Sequence, residues 1–130
     1  MNRYVLDSFA LLALLQDEPG ADRVDHLLTA ASRGEAEIRM SLINLAEVQY
    51  QIIRRDADPS KALAALEGFP IVRVSADAYV PQVVELKANH PISLADCFAA
   101  ALAQDLDCPL VTGDPEFKKL EGMLKIEWLR

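Results

Sequence analysis

The sequence predicts an α/β fold in which a central, mainly parallel β-sheet is flanked by α-helices on both faces. Three observations predict it. Short apolar runs of strand length alternate along the chain with longer runs of helical spacing, the pattern of strand–helix–strand units. Runs such as "PLVTG" read as strands buried on both sides, as parallel sheets require. The 130 residues carry no internal repeat, low-complexity tract or Ser/Gly/Pro-rich linker, so residues 1–130 are expected to form one complete domain around one core.

Taken in order, "YVLD" (Tyr4–Asp7) is the first strand, and "SFALLALLQ" continues as a helix to the Pro19-Gly20 break. Val24, Leu27, Leu28 and Ala31 give helical spacing to Asp22–Ser32, stopped at Gly34, and "EIRM" is the second strand. Ser41 is placed to cap a longer helix, Leu42–Arg55. "PSKALAALEG" is a helix closed by Gly68, and "PIVRVS" alternates as a strand. Asp77–Asn89 and Ser93–Asp105 are helical, "PLVTG" is the next strand and "KIEWL" the last. In such sheets ligands collect at the carboxyl ends of the strands, where Asp7 and Asp114 both stand.

Composition narrows the function classes. Hydrophobic residues make up 52% and charged residues 25%, a soluble globular balance, with a formal net charge of −7. That charge argues against binding nucleic acid by blanket phosphate neutralisation. Asp17, Glu18, Asp22 and Asp25 look like a solvated helix face, while Arg54, Arg55, Lys118 and Lys119 leave room for a local basic edge and are the candidate phosphate contacts. Cys97 and Cys108 lack metal-ligand spacing and read as reduced core thiols. The "SFALLALL" run is a poor secretory signal, being short, preceded by Asp7 and followed by no small-residue cleavage site. Nothing approaches a membrane span, so a cytoplasmic location is expected.

Four acids stand out because each is set in apolar sequence or on a strand-end turn. Asp7 ends "YVLD", Asp114 ends "LVTGD", and Asp96 is the only charge between Ser93 and Gln104. On the helix of residues 42–55, apolar side chains run nearly all round and leave a polar stripe of Asn44, Glu47 and Gln51, about 60° wide at 3.6 residues per turn. Singly, each acid has a plainer explanation. Asp7 and Asp114 suit helix N-caps, Asp96 suits a Ser93-x-x-Asp96 capping pair, and Glu47 suits a solvent stripe. A capping account, however, accepts Asp, Asn, Ser or Thr interchangeably, and this chain uses a carboxylate every time. Oxygen-rich acid clusters suit hard divalent cations such as Mg²⁺, which activate water and clamp the oxygens of a phosphodiester. His26 and His90 lie outside all four stretches and read as surface residues.

The succession "YVLDSFALL", "SLINLAEVQY", "ISLADCFAAALA" and "LVTGDPEF" resembles the PIN-domain ribonucleases, most closely the VapC-type toxins of bacterial toxin–antitoxin modules, from Tyr4 to Trp128. The resemblance implies a PIN-like fold with Asp7, Glu47, Asp96 and Asp114 as Mg²⁺- or Mn²⁺-binding catalytic acids, supported by Ser8, Thr112 and Asn44. It further implies an RNA substrate, a cognate antitoxin whose tail covers the acidic groove, and a homodimer. The apolar surface of the 42–55 helix and of "SFALLALL" also suits a partner. Two alternatives from other classes remain: a catalytically silent PIN-like interaction module, and a receiver-type phosphoacceptor domain. The receiver would place a Lys where Thr112-Gly113-Asp114 stands.

Overall fold

The computed structural model describes residues 1–130. Five parallel strands, β1 (Asn2–Leu6), β2 (Ala36–Ser41), β3 (Val72–Val74), β4 (Leu110–Thr112) and β5 (Ile126–Trp128), form one sheet in the order β3-β2-β1-β4-β5. From β1 the chain builds outward through β2 to β3, then returns to add β4 and β5 on the other side. Parallel crossovers are right-handed, so reversing the direction of growth moves the connecting helices to the other face. Accordingly α1 (Ser8–Leu15), α2 (Ala21–Ser32), α3 (Leu42–Arg55) and α4 (Ser60–Gly68) contribute to one core, and α5 (Val80–Asn89) and α6 (Leu94–Leu106) to the other.

Strand alternation divides the two cores. Val5 and Leu110 face α5 and α6, while Leu6 and Val111 face α1, α2 and α3. Both sides of the central strands are therefore apolar, which is why "YVL" and "PLV" show no polar alternation. α6 is the most deeply buried helix, with Cys97 through Ala103 all in the core, and the run of alanines lets it lie close against the sheet. Cys97 and Cys108 are buried free thiols, as expected.

Four local expectations change. Asp7 lies just beyond β1 as the N-cap of α1. The predicted helix over residues 77–89 divides into a 3₁₀ turn, Asp77–Tyr79, and α5, with Pro81 in the first turn of α5. Asp17 and Glu18 occupy the exposed turn between α1 and α2, whereas Asp22 and Asp25 lie on the solvent face of α2. His90 is half-buried, with its Nδ1 3.0 Å from the Leu86 carbonyl oxygen. No helix is long and apolar enough to cross a membrane.

Candidate active site

The reversal of sheet growth falls between β1 and β4, and the crevice at the carboxyl ends of these strands is where α/β folds take ligands. Asp7 leaves β1 there and Asp114 follows β4. Asp7 is 1% exposed; one carboxylate oxygen accepts the Ala10 N–H at 2.9 Å, capping α1, and the other accepts the Thr112 hydroxyl. Thr112 Oγ1 in turn accepts the Asp114 N–H at 3.0 Å. A single buried threonine thus fixes both strand-end aspartates. Asp114 caps the 3₁₀ helix Pro115–Leu120 by accepting the Glu116 N–H at 2.9 Å.

Asp96 is different. The cap of α6 is Ser93, whose Oγ accepts the Asp96 N–H at 3.1 Å, so the Asp96 carboxylate, only 6% exposed, is not needed for capping. On α3, Ser41 caps the helix as the sequence predicts, and the Ser8 hydroxyl donates to Glu47 Oε1. Asn44 is wholly buried: its Nδ2 donates to the Ala95 carbonyl at 3.0 Å, tying α3 to the first turn of α6 one residue before Asp96, and its Oδ1 has no partner. Along this stripe Asn44 faces inward, while Glu47 and Gln51 are half-buried. The solvent side of α3 shows Leu42, Tyr50 and Ile53 instead.

Electrostatics joins the acids. Burial pushes the Asp7 carboxyl up to about 7; the Thr112 and Ala10 hydrogen bonds oppose this, and the Asp96 and Asp114 charges add to it. Burial also raises Asp96 to about 7, helped by the Asp114 charge, eased by Ser93, and raised further by Glu47 and Glu116. Neither carboxylate is in a salt bridge. Asp96 thus links the acids, sensing Asp114, Glu47 and also Glu116, while Asp7 senses Asp96 and Asp114. The sequence reading passed over Glu116, whose signal was present two residues after Asp114 in "GDPEF".

The acids do not form a ready-made cage, since no three acidic, histidine or cysteine side chains converge as ligands around one point. The donor set nonetheless fits a hard divalent cation: it is all carboxylate oxygen, none of the four acids is in a salt bridge, and the buried Asn44 on the helix that carries Glu47 keeps an unpartnered amide oxygen.

The four basic residues are spread out. Arg54 and Arg55 end α3, about 10 Å along its axis beyond Glu47 at 1.5 Å per residue, and therefore away from the acidic edge. Lys119 Nζ bonds Glu116 Oε2 at 2.9 Å and the Pro91 carbonyl at 3.0 Å, whereas Lys118, four residues after Asp114 in the sequence, is in no salt bridge.

The family model described as PIN domain matches residues 4–123. Among solved structures, the chain is similar to one in VapBC2 from Rickettsia felis bound to a promoter DNA fragment, with 20% identity, 98% of this chain and 99% of that chain covered, and a TM-score of 0.74. It is similar to a chain of DNA-bound VapBC from Salmonella typhimurium, with 24% identity, 98% of both chains covered and a TM-score of 0.73. A chain of VapBC-1 from nontypeable Haemophilus influenzae gives 23% identity, 97% coverage of both chains and a TM-score of 0.67. These likenesses show a shared fold. A comparison with curated protein sequences finds no significant match. With a family model spanning nearly all of its length, and with strand-end aspartates gathered at the sheet's reversal, the chain belongs to the PIN-domain family.

Proposed function

We propose that this protein is a metal-dependent ribonuclease that hydrolyses RNA phosphodiester bonds and acts as the toxin of a toxin–antitoxin pair. The observation that carries the reading is the grouping of Asp7, Asp96, Asp114 and Glu47 around one sheet edge with none of the four in a salt bridge. A structural cluster of this kind would be relieved by an arginine or lysine. An acidic cluster left unneutralised suits a site that receives its positive charge as Mg²⁺ or Mn²⁺.

Asp7, Asp96 and Asp114 would hold the cation, with Glu47 binding through water or orienting the nucleophile. The chemistry a cation would supply at these residues is stabilisation of charge on the phosphodiester and a lowered pKa for attacking water. The chain's own task is positioning. Thr112 holds Asp7 and the Asp114 turn in register, Ser8 aims Glu47, and Asn44 joins the helix carrying Glu47 to the one carrying Asp96.

PIN-domain membership and the likeness to chains of VapBC complexes support the antitoxin partner. The exposed Leu42, Tyr50 and Ile53 offer surface for it or for a second copy in a homodimer. A silent interaction module has no use for four coupled acids. A receiver domain would need a lysine where Thr112-Gly113-Asp114 stands.

Purified protein freed of partner should cleave RNA with Mg²⁺ or Mn²⁺ and stop when EDTA is added. Asp7→Asn, Asp96→Asn and Asp114→Asn should each lower cleavage by on the order of a hundred-fold or more, the scale lost with a group that stabilises transition-state charge. Undiminished cleavage in chelator, or a fully active Asp96→Asn, would overturn the reading.

A further inference from the structure

An open groove of about 520 Å³ runs between the 3₁₀ helix Pro115–Leu120 and the end of β5. Gly113 and Pro115 form part of its wall, so the groove adjoins Asp114 through both of that residue's neighbours in sequence. Trp128 forms an aromatic wall. It pairs in register with Thr112, the residue that holds Asp7, and the Leu129 N–H donates to the Thr112 carbonyl at 2.8 Å. The residue is half-buried, packing on the α5/α6 core and also standing among the groove's lining residues. Two cationic side chains, Lys118 and Arg130, line the groove, and neither is in a salt bridge; Glu121 is the acidic side chain among its lining.

This combination matches one nucleotide unit of a single strand. An indole face offers stacking to any base, and an unpaired ammonium and guanidinium beside it offer contacts for phosphate. On an acidic protein the placement matters, because the groove is a local basic site bordering the acidic centre. We propose that this groove binds the nucleotide next to the scissile phosphate, with its base against Trp128 and its phosphate at Lys118 and Arg130. The inference rests on the ribonuclease reading and adds to it a seat for the substrate. It also separates Lys118 from Lys119, whose ammonium is committed to Glu116 and the Pro91 carbonyl.

Trp128 is the chain's only tryptophan, so its emission reports directly on the groove. The test uses Asp7→Asn protein, which holds RNA uncleaved, titrated with short oligouridylate and oligoadenylate, with binding followed in parallel by anisotropy of an end-labelled strand. Binding should quench the tryptophan. Trp128→Ala should weaken affinity by on the order of ten-fold, the ordinary cost of removing a base-stacking aromatic, and Trp128→Phe should recover most of that loss. Lys118→Ala, an exposed change that leaves the fold alone, should weaken binding and lower the salt slope by about 0.7, one single-strand phosphate contact. RNA that binds by anisotropy without quenching, and with affinity unchanged by Trp128→Ala and Lys118→Ala, would overturn the groove while leaving the ribonuclease reading intact. Wild-type protein that neither binds nor cleaves RNA would overturn both.

Discussion

At the scale of single residues, the carboxylates of Asp7 and Asp96 are at odds with the metal-free fold. Each is pushed from 3.8 up to about 7, chiefly by burial and then by neighbouring acids. A raised folded-state pKa means the native protein holds more protons than the unfolded chain between these two values. The resulting stability is full below 3.8 and is lost as pH rises through about 7. Metal-stripped protein should therefore melt higher at about pH 5 than at about pH 8 by circular dichroism. Asp96→Asn should remove a large part of that difference, because the amide cannot ionise. A divalent cation reverses the sign, since it competes with protons for the same oxygens: the gain in Tm from Mn²⁺ should grow with pH. A metal-free Tm that is flat between these pH values would mean that the acids are better solvated than their burial implies.

At the scale of elements, the turn joining β4 to the 3₁₀ helix is fitted to α1. A Cβ on Gly113 would come within 2.4 Å of Phe9 Cε1 and 2.9 Å of Cζ, so the ring edge fills the space a side chain would need. Gly113→Ala should cost about 1–3 kcal/mol by overpacking and displace Asp114. Phe9→Ala in the same chain should return part of the loss, giving a favourable coupling in a double-mutant cycle by urea denaturation. Strict additivity would show that the ring swings aside freely. The elements themselves were largely legible in the sequence. Helix caps at Ser41 and Ser93, the stop at Gly34 and the apolar strand runs depend on local chemistry, which a sequence displays directly. The 3₁₀ helix was not, because six residues opening on a proline carry too little periodicity to distinguish from a loop. The stripe of Asn44, Glu47 and Gln51 was found, but not its direction: spacing shows that residues share a face and does not say whether that face meets solvent or a site. Glu116 and Trp128 escaped for a related reason, since their roles arise from contacts between segments distant in sequence.

At the scale of the whole molecule, the candidate site is where the fold's halves meet. Asp7 caps α1 and Glu47 lies on α3, helices of one core, and Asp96 lies on α6 in the other, with Asp114 following β4, which faces both. A cation drawn to all four would bind the native fold and have little affinity for the unfolded chain, in which these residues are far apart. Its effect should then follow mass action for the whole cooperative unit: at about a hundred times its Kd, an ion bound only to the native state adds about 2.7 kcal/mol. For a chain of this length that corresponds to a rise of roughly 10 °C in Tm. Screening must be separated from binding, because a protein with a formal charge of −7 also gains stability from any salt that damps self-repulsion. The comparison is therefore Mn²⁺ or Mg²⁺ against NaCl at equal ionic strength. Wild type should show the divalent-specific rise as one sharp transition, and Asp114→Asn should lose most of it while keeping its response to NaCl, since asparagine still caps the 3₁₀ helix. Equal shifts from the divalent ion and from NaCl would mean that the acids collect only a diffuse ion atmosphere, and the metal site would have to be given up even though the fold remains that of a PIN domain.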